Sequence, residues 1–89
     1  MLKHYTISVK GKVQGVYYRQ SVLEVARQIG INGFIKNELN GDVLIEAEGK
    51  EEELNKLIEW CKKGPDKAIV TAITLTEEEL KNFSEFKIL

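Results

Sequence analysis

Residues 11 to 20 read GKVQGVYYRQ, and the period of the hydrophobic pattern changes across them. Before this stretch, from His4 to Lys12, Tyr5, Ile7 and Val9 fall to one side and Thr6, Ser8 and Lys10 to the other, which is the alternation of a half-buried strand. After it, Ser21 to Ile29 sets Val22, Ala26 and Ile29 on one helical face, broadened by Leu23 and Val25, and Gly30 supplies a stop. A strand therefore turns into a helix through a loop with glycines at 11 and 15. Those glycines let the backbone bend and let another molecule approach it closely. Arg19 stands where the helix begins, facing the positive end of the helix dipole, a misfit of roughly 0.3–1 kcal/mol. The chain has eleven lysines and only two arginines. The second, Arg27, falls in the last turn of the same helix, where the dipole favours a cation.

Outward from the loop, Gly33 to Glu38 and Asp42 to Glu48 read as two strands joined by ELNGD, whose Asn40-Gly41 is a tight-turn signal. KEEELNKLIEWCKKGP follows. It has an acidic first turn, an apolar face of Leu54, Leu57, Ile58 and Cys61, a basic last turn and a Gly64-Pro65 stop, so it predicts a second helix. Ala68 to Leu75 is a β-branched strand. Thr76 to Glu79 fits the T-x-x-E capping pattern and predicts a short helical turn before a last strand, Phe83 to Ile88. The order is β-α-β-β-α-β with a short terminal strand. It predicts an α+β, ferredoxin-like sandwich in which two helices cover one face of an antiparallel sheet.

Length and composition agree with one domain spanning residues 1–89, at 43% hydrophobic and 30% charged. A net charge of −1 argues against a general nucleic-acid binder, which needs a basic face to displace counterions. No apolar run has membrane-spanning length, the N-terminal residues do not form a signal peptide, and a lone Cys61 cannot make an internal disulfide. The expectation is a cytoplasmic monomer. The Lys and Glu bias is a weak mark of heat adaptation.

Within GKVQGVYYR, loop amides, a helix N-terminus and the forked guanidinium of Arg19 can converge on a phosphate-sized dianion. The bland alternative is a plain turn with a solvated arginine. The G-x-x-x-x-G-K-[ST] order of a nucleotide-binding loop is absent. The loop also holds no cysteine, serine or aspartate to act as nucleophile. Cys61 reads as a core residue and His4 as a solvated one, and no cluster has metal-ligand spacing, so no metal or cofactor is expected. Hydrolysis of a phosphate here would need direct attack by water on a substrate with a good leaving group. Asn37 is the second candidate. On a strand, sharing a face with Ile35 and Leu39, its amide either ties down the hairpin or orients a water.

Together these stretches resemble the acylphosphatase family. Val9 to Arg19, VKGKVQGVYYR, is similar to its first signature and Gly33 to Gly49, GFIKNELNGDVLIEAEG, to its second. GPDKAIV, residues 64 to 70, and the closing FKI also fit. The resemblance implies hydrolysis of the carboxyl–phosphate bond of small acyl phosphates to a carboxylate and inorganic phosphate. It implies that Arg19 binds phosphate, that Asn37 orients the attacking water, and that the backbone of Gln14, Gly15, Val16, Tyr17 and Tyr18 forms the phosphate loop. Tyr18 stands where the family usually has Phe or Met, and its hydroxyl needs a partner if buried or else reaches the edge of the ligand. Ile35 stands where the family usually has a smaller residue. Two other functions share the plan: a weakly catalytic or non-catalytic phosphate-binding module, and an RNA binder. Against RNA, DVLIEAE carries acidic residues and no aromatics for stacking bases.

Overall fold

The computed structural model describes residues 1–89. In chain order the elements are β1 (Leu2–Lys12), α1 (Tyr18–Ile29), β2 (Asn32–Asn37), β3 (Val43–Lys50), α2 (Glu51–Lys63), β4 (Ile69–Glu78) and β5 (Phe86–Ile88). They form one five-stranded sheet in the order β4-β1-β3-β2-β5. No helix is long and apolar enough to cross a membrane.

Register explains the two faces of the sheet. Directly paired residues of antiparallel strands share a face, so Tyr5 with Ala47, Ile7 with Ile45 and Val9 with Val43 turn the same way. Ile35 joins them through Ile45. Against this face pack Val22 and Ala26 of α1 and Leu54, Leu57, Ile58 and Cys61 of α2, closing the hydrophobic core. Each fully buried Val, Leu or Ile there contributes roughly 1.5–3 kcal/mol. Gly11 kinks β1 where its register against β4 shifts; a Cβ there would stand 2.1 Å from the Ile69 carbonyl oxygen.

The expected α+β, ferredoxin-like sandwich is present, with β1 to β4 antiparallel; four details differ. The short terminal strand makes the sheet mixed, because β5 runs parallel to β2. Thr76 to Glu79 is not a helical turn: β4 continues to Glu78, and pairing of Thr76 with Thr6 and of Glu78 with His4 satisfies backbone groups that a local cap would have used. The last strand starts at Phe86 rather than Phe83, since the chain from Glu79 to Glu85 first travels from one edge of the sheet to the other, and on the way the Lys81 and Phe83 amides donate to the Glu48 carboxylate. The fourth concerns His4. It lies on the face opposite Tyr5 but is fully buried, because that crossing segment covers it and Phe83 packs near its ring, 5.9 Å between centroids.

His4 contacts two carboxylates, Glu46 at Nε2 and Glu48 at Nδ1, the latter at 2.8 Å. Thr6 Oγ1 donates to Glu46 at 3.2 Å, and Lys81 Nζ lies 3.5 Å from the same carboxylate. Burial by itself would push the Glu48 carboxyl up. The Lys81 amide, the His4 ring and the Phe83 amide outweigh it and hold the pKa below its usual 4.5.

Candidate active site

The loop between β1 and α1 holds two residues in the left-handed region. Gly15 has φ 74°, and Tyr17, the N-cap of α1, has φ 63° and ψ 23°. A non-glycine residue in the left-handed region costs of order 1 kcal/mol and persists only where its surroundings hold it. A Cβ added at Gly15 would meet no protein atom, so the space beside this backbone is open. The helix starts at Tyr18, earlier than the hydrophobic period alone indicates, which puts Arg19 squarely in its first turn.

The amides of this turn face no acceptor within the chain. From Gly15 to Gln20 none donates to backbone or side chain; the first to do so is Ser21, to the Tyr17 carbonyl at 3.0 Å. Arg19, half-buried, takes part in none of the chain's ion pairs. Arg27, by contrast, donates to the Phe86 carbonyl at 3.2 Å. The N-terminal turn of α1 carries no acidic residue either. Unpaired amides, the positive helix end and an unpaired guanidinium thus lie together with no anion of the protein to answer them.

Asn37 ends β2 on the helix-covered face, paired with Val43. Leu39, expected on the same face, projects fully into solvent instead, because β2 stops and the hairpin loop begins. In that loop Gly41 at φ 96° follows Asn40, whose Oδ1 accepts the Asp42 amide at 3.0 Å. Asn37 Oδ1 is buried and has no hydrogen-bond partner. It is the one side-chain atom of the protein in that condition, and an unmatched buried acceptor costs about 1–3 kcal/mol. Asn37 shares a cavity of about 310 Å³ with Gln14, Gly15, Tyr17, Tyr18, Arg19 and Gln20. A larger cavity of about 460 Å³, around Leu2, Asn32, Lys50 and Leu80, contains neither Arg19 nor Asn37.

Tyr18 does not reach this cavity with its hydroxyl. Its ring is buried against Gly64 and Trp60, and the hydroxyl donates to the Cys61 carbonyl at 2.7 Å. The first residue of α1 is thereby fixed to the end of α2, and burial raises its pKa well above the usual phenol range. Cys61 is in the core as its place on the helix indicated, and burial pushes its thiol up to about 12, so it is no thiolate nucleophile. Val16 is buried and adds backbone rather than side chain to the loop. The contribution that the sequence did not reveal is the side chain of Gln14, which donates to the Glu38 and Asp42 carbonyls, both at 2.9 Å. Nothing in VQG distinguishes such an amide from a solvated one.

Comparison with known proteins is consistent along the whole chain. The sequence profile described as Acylphosphatase matches residues 5–88. An acylphosphatase of Syntrophus aciditrophicus is 41% identical over 90 residues, covering 100% of this chain and 94% of the relative. Among solved structures, an acylphosphatase from Bacillus subtilis superposes with a TM-score of 0.96 at 39% identity, covering 100% of this chain and 99% of the other. One from Coxiella burnetii gives 0.95 at 33% identity, covering 99% and 93%.

Proposed function

The chain belongs to the acylphosphatase family, and with that as the premise we propose how its residues divide the hydrolysis of acyl phosphates. The substrate phosphoryl group sits against the backbone amides of Gln14 to Tyr18, and the Arg19 guanidinium grips two of its oxygens. The substrate dianion then supplies the negative charge that the first turn of α1 lacks, so the electrostatic misfit of Arg19 disappears on binding.

Asn37 Oδ1 accepts a hydrogen bond from a water and aims it at phosphorus. The observation that carries this reading is that same oxygen, a buried acceptor without a partner in the cavity that contains Arg19. The bond between water oxygen and phosphorus forms as the bond to the carboxylate oxygen breaks, and one proton of the water passes to a phosphate oxygen, so that a carboxylate and dihydrogen phosphate result. Because a carboxylate leaves without protonation, no general acid is required, in keeping with a cavity to which Tyr17 is the one residue besides Arg19 that brings a titratable group, the Tyr18 hydroxyl being turned away to the Cys61 carbonyl. Catalysis by positioning and by fixed donors is sufficient for such a loose transition state.

We assign residues 1–89 to one catalytic unit working as a monomer. The single, fully buried cysteine supports a place in the reducing cytoplasm. The test is hydrolysis of benzoyl phosphate without added metal by the wild type and by folded Arg19→Ala and Asn37→Ala variants. Rapid hydrolysis lost in both variants supports both roles. Saturable phosphate binding without hydrolysis would instead make the site a phosphate-binding module.

A further inference from the structure

The electrophile and the nucleophile of the proposed reaction are held by different elements. Phosphate is seated by the loop after β1, and water by Asn37 at the end of β2. These two elements are not neighbours in the sheet, since β3 lies between β1 and β2. The ladders through β3, where Val43 pairs with both Val9 and Asn37, align the strand β1 with Asn37 but do not include the loop residues that follow β1.

Gln14 makes that connection. Its Nε2 lies 2.9 Å from the Glu38 carbonyl oxygen and 2.9 Å from the Asp42 carbonyl oxygen. Both partners accept only, so the group facing them must be the NH₂ of the amide, with both of its hydrogens engaged. The two carbonyls belong to the pair that closes the hairpin, where the Glu38 amide donates to Asp42 at 2.8 Å. Glu38 follows Asn37 directly. One side chain of the phosphate loop thus grips the hairpin one peptide bond from the residue that holds the water. The other side-chain link between these regions, Lys10 to Asp42 at 2.7 Å, starts from β1 itself through a half-exposed lysine and fixes no loop residue.

We propose that Gln14 is a positioning residue, whose side-chain amide sets the distance and angle between the phosphate seat and the water on Asn37. The inference rests on the roles given above to Arg19 and Asn37. It differs from a backbone contribution of Gln14 to phosphate binding, which any side chain could make.

Gln14→Met keeps the length and removes both donors. The expected result is a fall in kcat of about tenfold to a hundredfold, the range in which a misplacement near 1 Å is felt. The inhibition constant for inorganic phosphate stays within about twofold of the wild type, because amides and Arg19 still bind it. In an Asn37→Ala background the same substitution costs nothing further, since no held water remains to be misplaced. Gln14→Asn, which keeps an amide but stops one methylene short, loses kcat as Met does and guards against a folding defect. Unchanged kcat, a parallel loss of phosphate affinity, or full additivity with Asn37→Ala would each overturn the proposal. Amide exchange at Glu38 gives a readout independent of catalysis: it speeds up in Gln14→Met, and an unchanged rate overturns the tether. Wild-type hydrolysis by Asn37→Ala alone would sink the role of Asn37, while the exchange experiment would still decide whether Gln14 joins the two elements.

Discussion

Two clusters of polar groups interrupt the apolar plan of this protein, and they are treated in opposite ways. Around His4, on the face away from the helices, every polar group is answered: imidazole by two glutamates, and the glutamates by Thr6, Lys81 and two backbone amides. Around Arg19, at the end of the sheet where β1 gives way to α1, guanidinium, loop amides and the Asn37 oxygen are left unanswered. Satisfied polar networks fix a structure; unsatisfied ones hold their donors and acceptors ready for a molecule that is not part of the chain. Burial alone would not have separated the two, and by burial the histidine cluster is the more conspicuous.

The sharpest break of this contrast is Arg19→Ala. It is expected to lower kcat/KM for benzoyl phosphate by about a thousandfold or more, as loss of a fixed cationic donor does, while the melting temperature without ligand holds or rises slightly as the dipole misfit goes. Asn37→Ala should cost about a hundredfold to a thousandfold in kcat, with phosphate inhibition retained. Inorganic phosphate at a hundred times its dissociation constant should stabilise the wild type by about 2.7 kcal/mol and leave Arg19→Ala nearly unmoved in a thermal melt.

The histidine cluster should answer in the other currency, stability rather than rate. Glu48→Gln is expected to destabilise the fold by about 2 kcal/mol in urea titration, through weakened charge-assisted bonds, with kcat unchanged. Its pH dependence has a definite sign. The folded pKa of Glu48 is depressed, so its contribution is complete above the unfolded value near 4.5 and is lost as pH falls through the lower folded value. Stability measured from neutral pH downwards should therefore decline less steeply in Glu48→Gln. The smallest effect belongs to Tyr18→Phe, about 1 kcal/mol for one hydrogen bond to the Cys61 carbonyl, with activity retained. A large loss of rate there would mean that the anchoring of α1 to α2 reaches the site.

The difference between the clusters also marks what the sequence could tell. Element order and the core were legible because alternation along β1 and the helical faces of α1 and α2 are local, repeated signals. Arg19 stood out against a lysine-rich background and a misplaced dipole. Asn37 stood out as an amide on a strand. The burial of His4 was not legible, because it depends on a crossing segment some eighty positions away whose own signal, T-x-x-E, pointed to a different structure. The reach of Gln14 to the hairpin was hidden for the same reason: a side-chain bond across 24 positions leaves no period.

The position of β1 in the sheet has a consequence for time. This strand launches the loop of the proposed site, and all the residues proposed for that site lie within the first 37 positions, yet β1 is clamped between β3 and β4, pairing Leu2 with Lys50 and His4 with Glu78. During synthesis the residues of the site leave the ribosome early and remain unassembled until almost the whole chain has followed. Such long-range pairing places the refolding of the chain in the slow class of small domains, about milliseconds to seconds, and a nascent chain halted before β4 would carry every group the chemistry needs without the scaffold that brings them together.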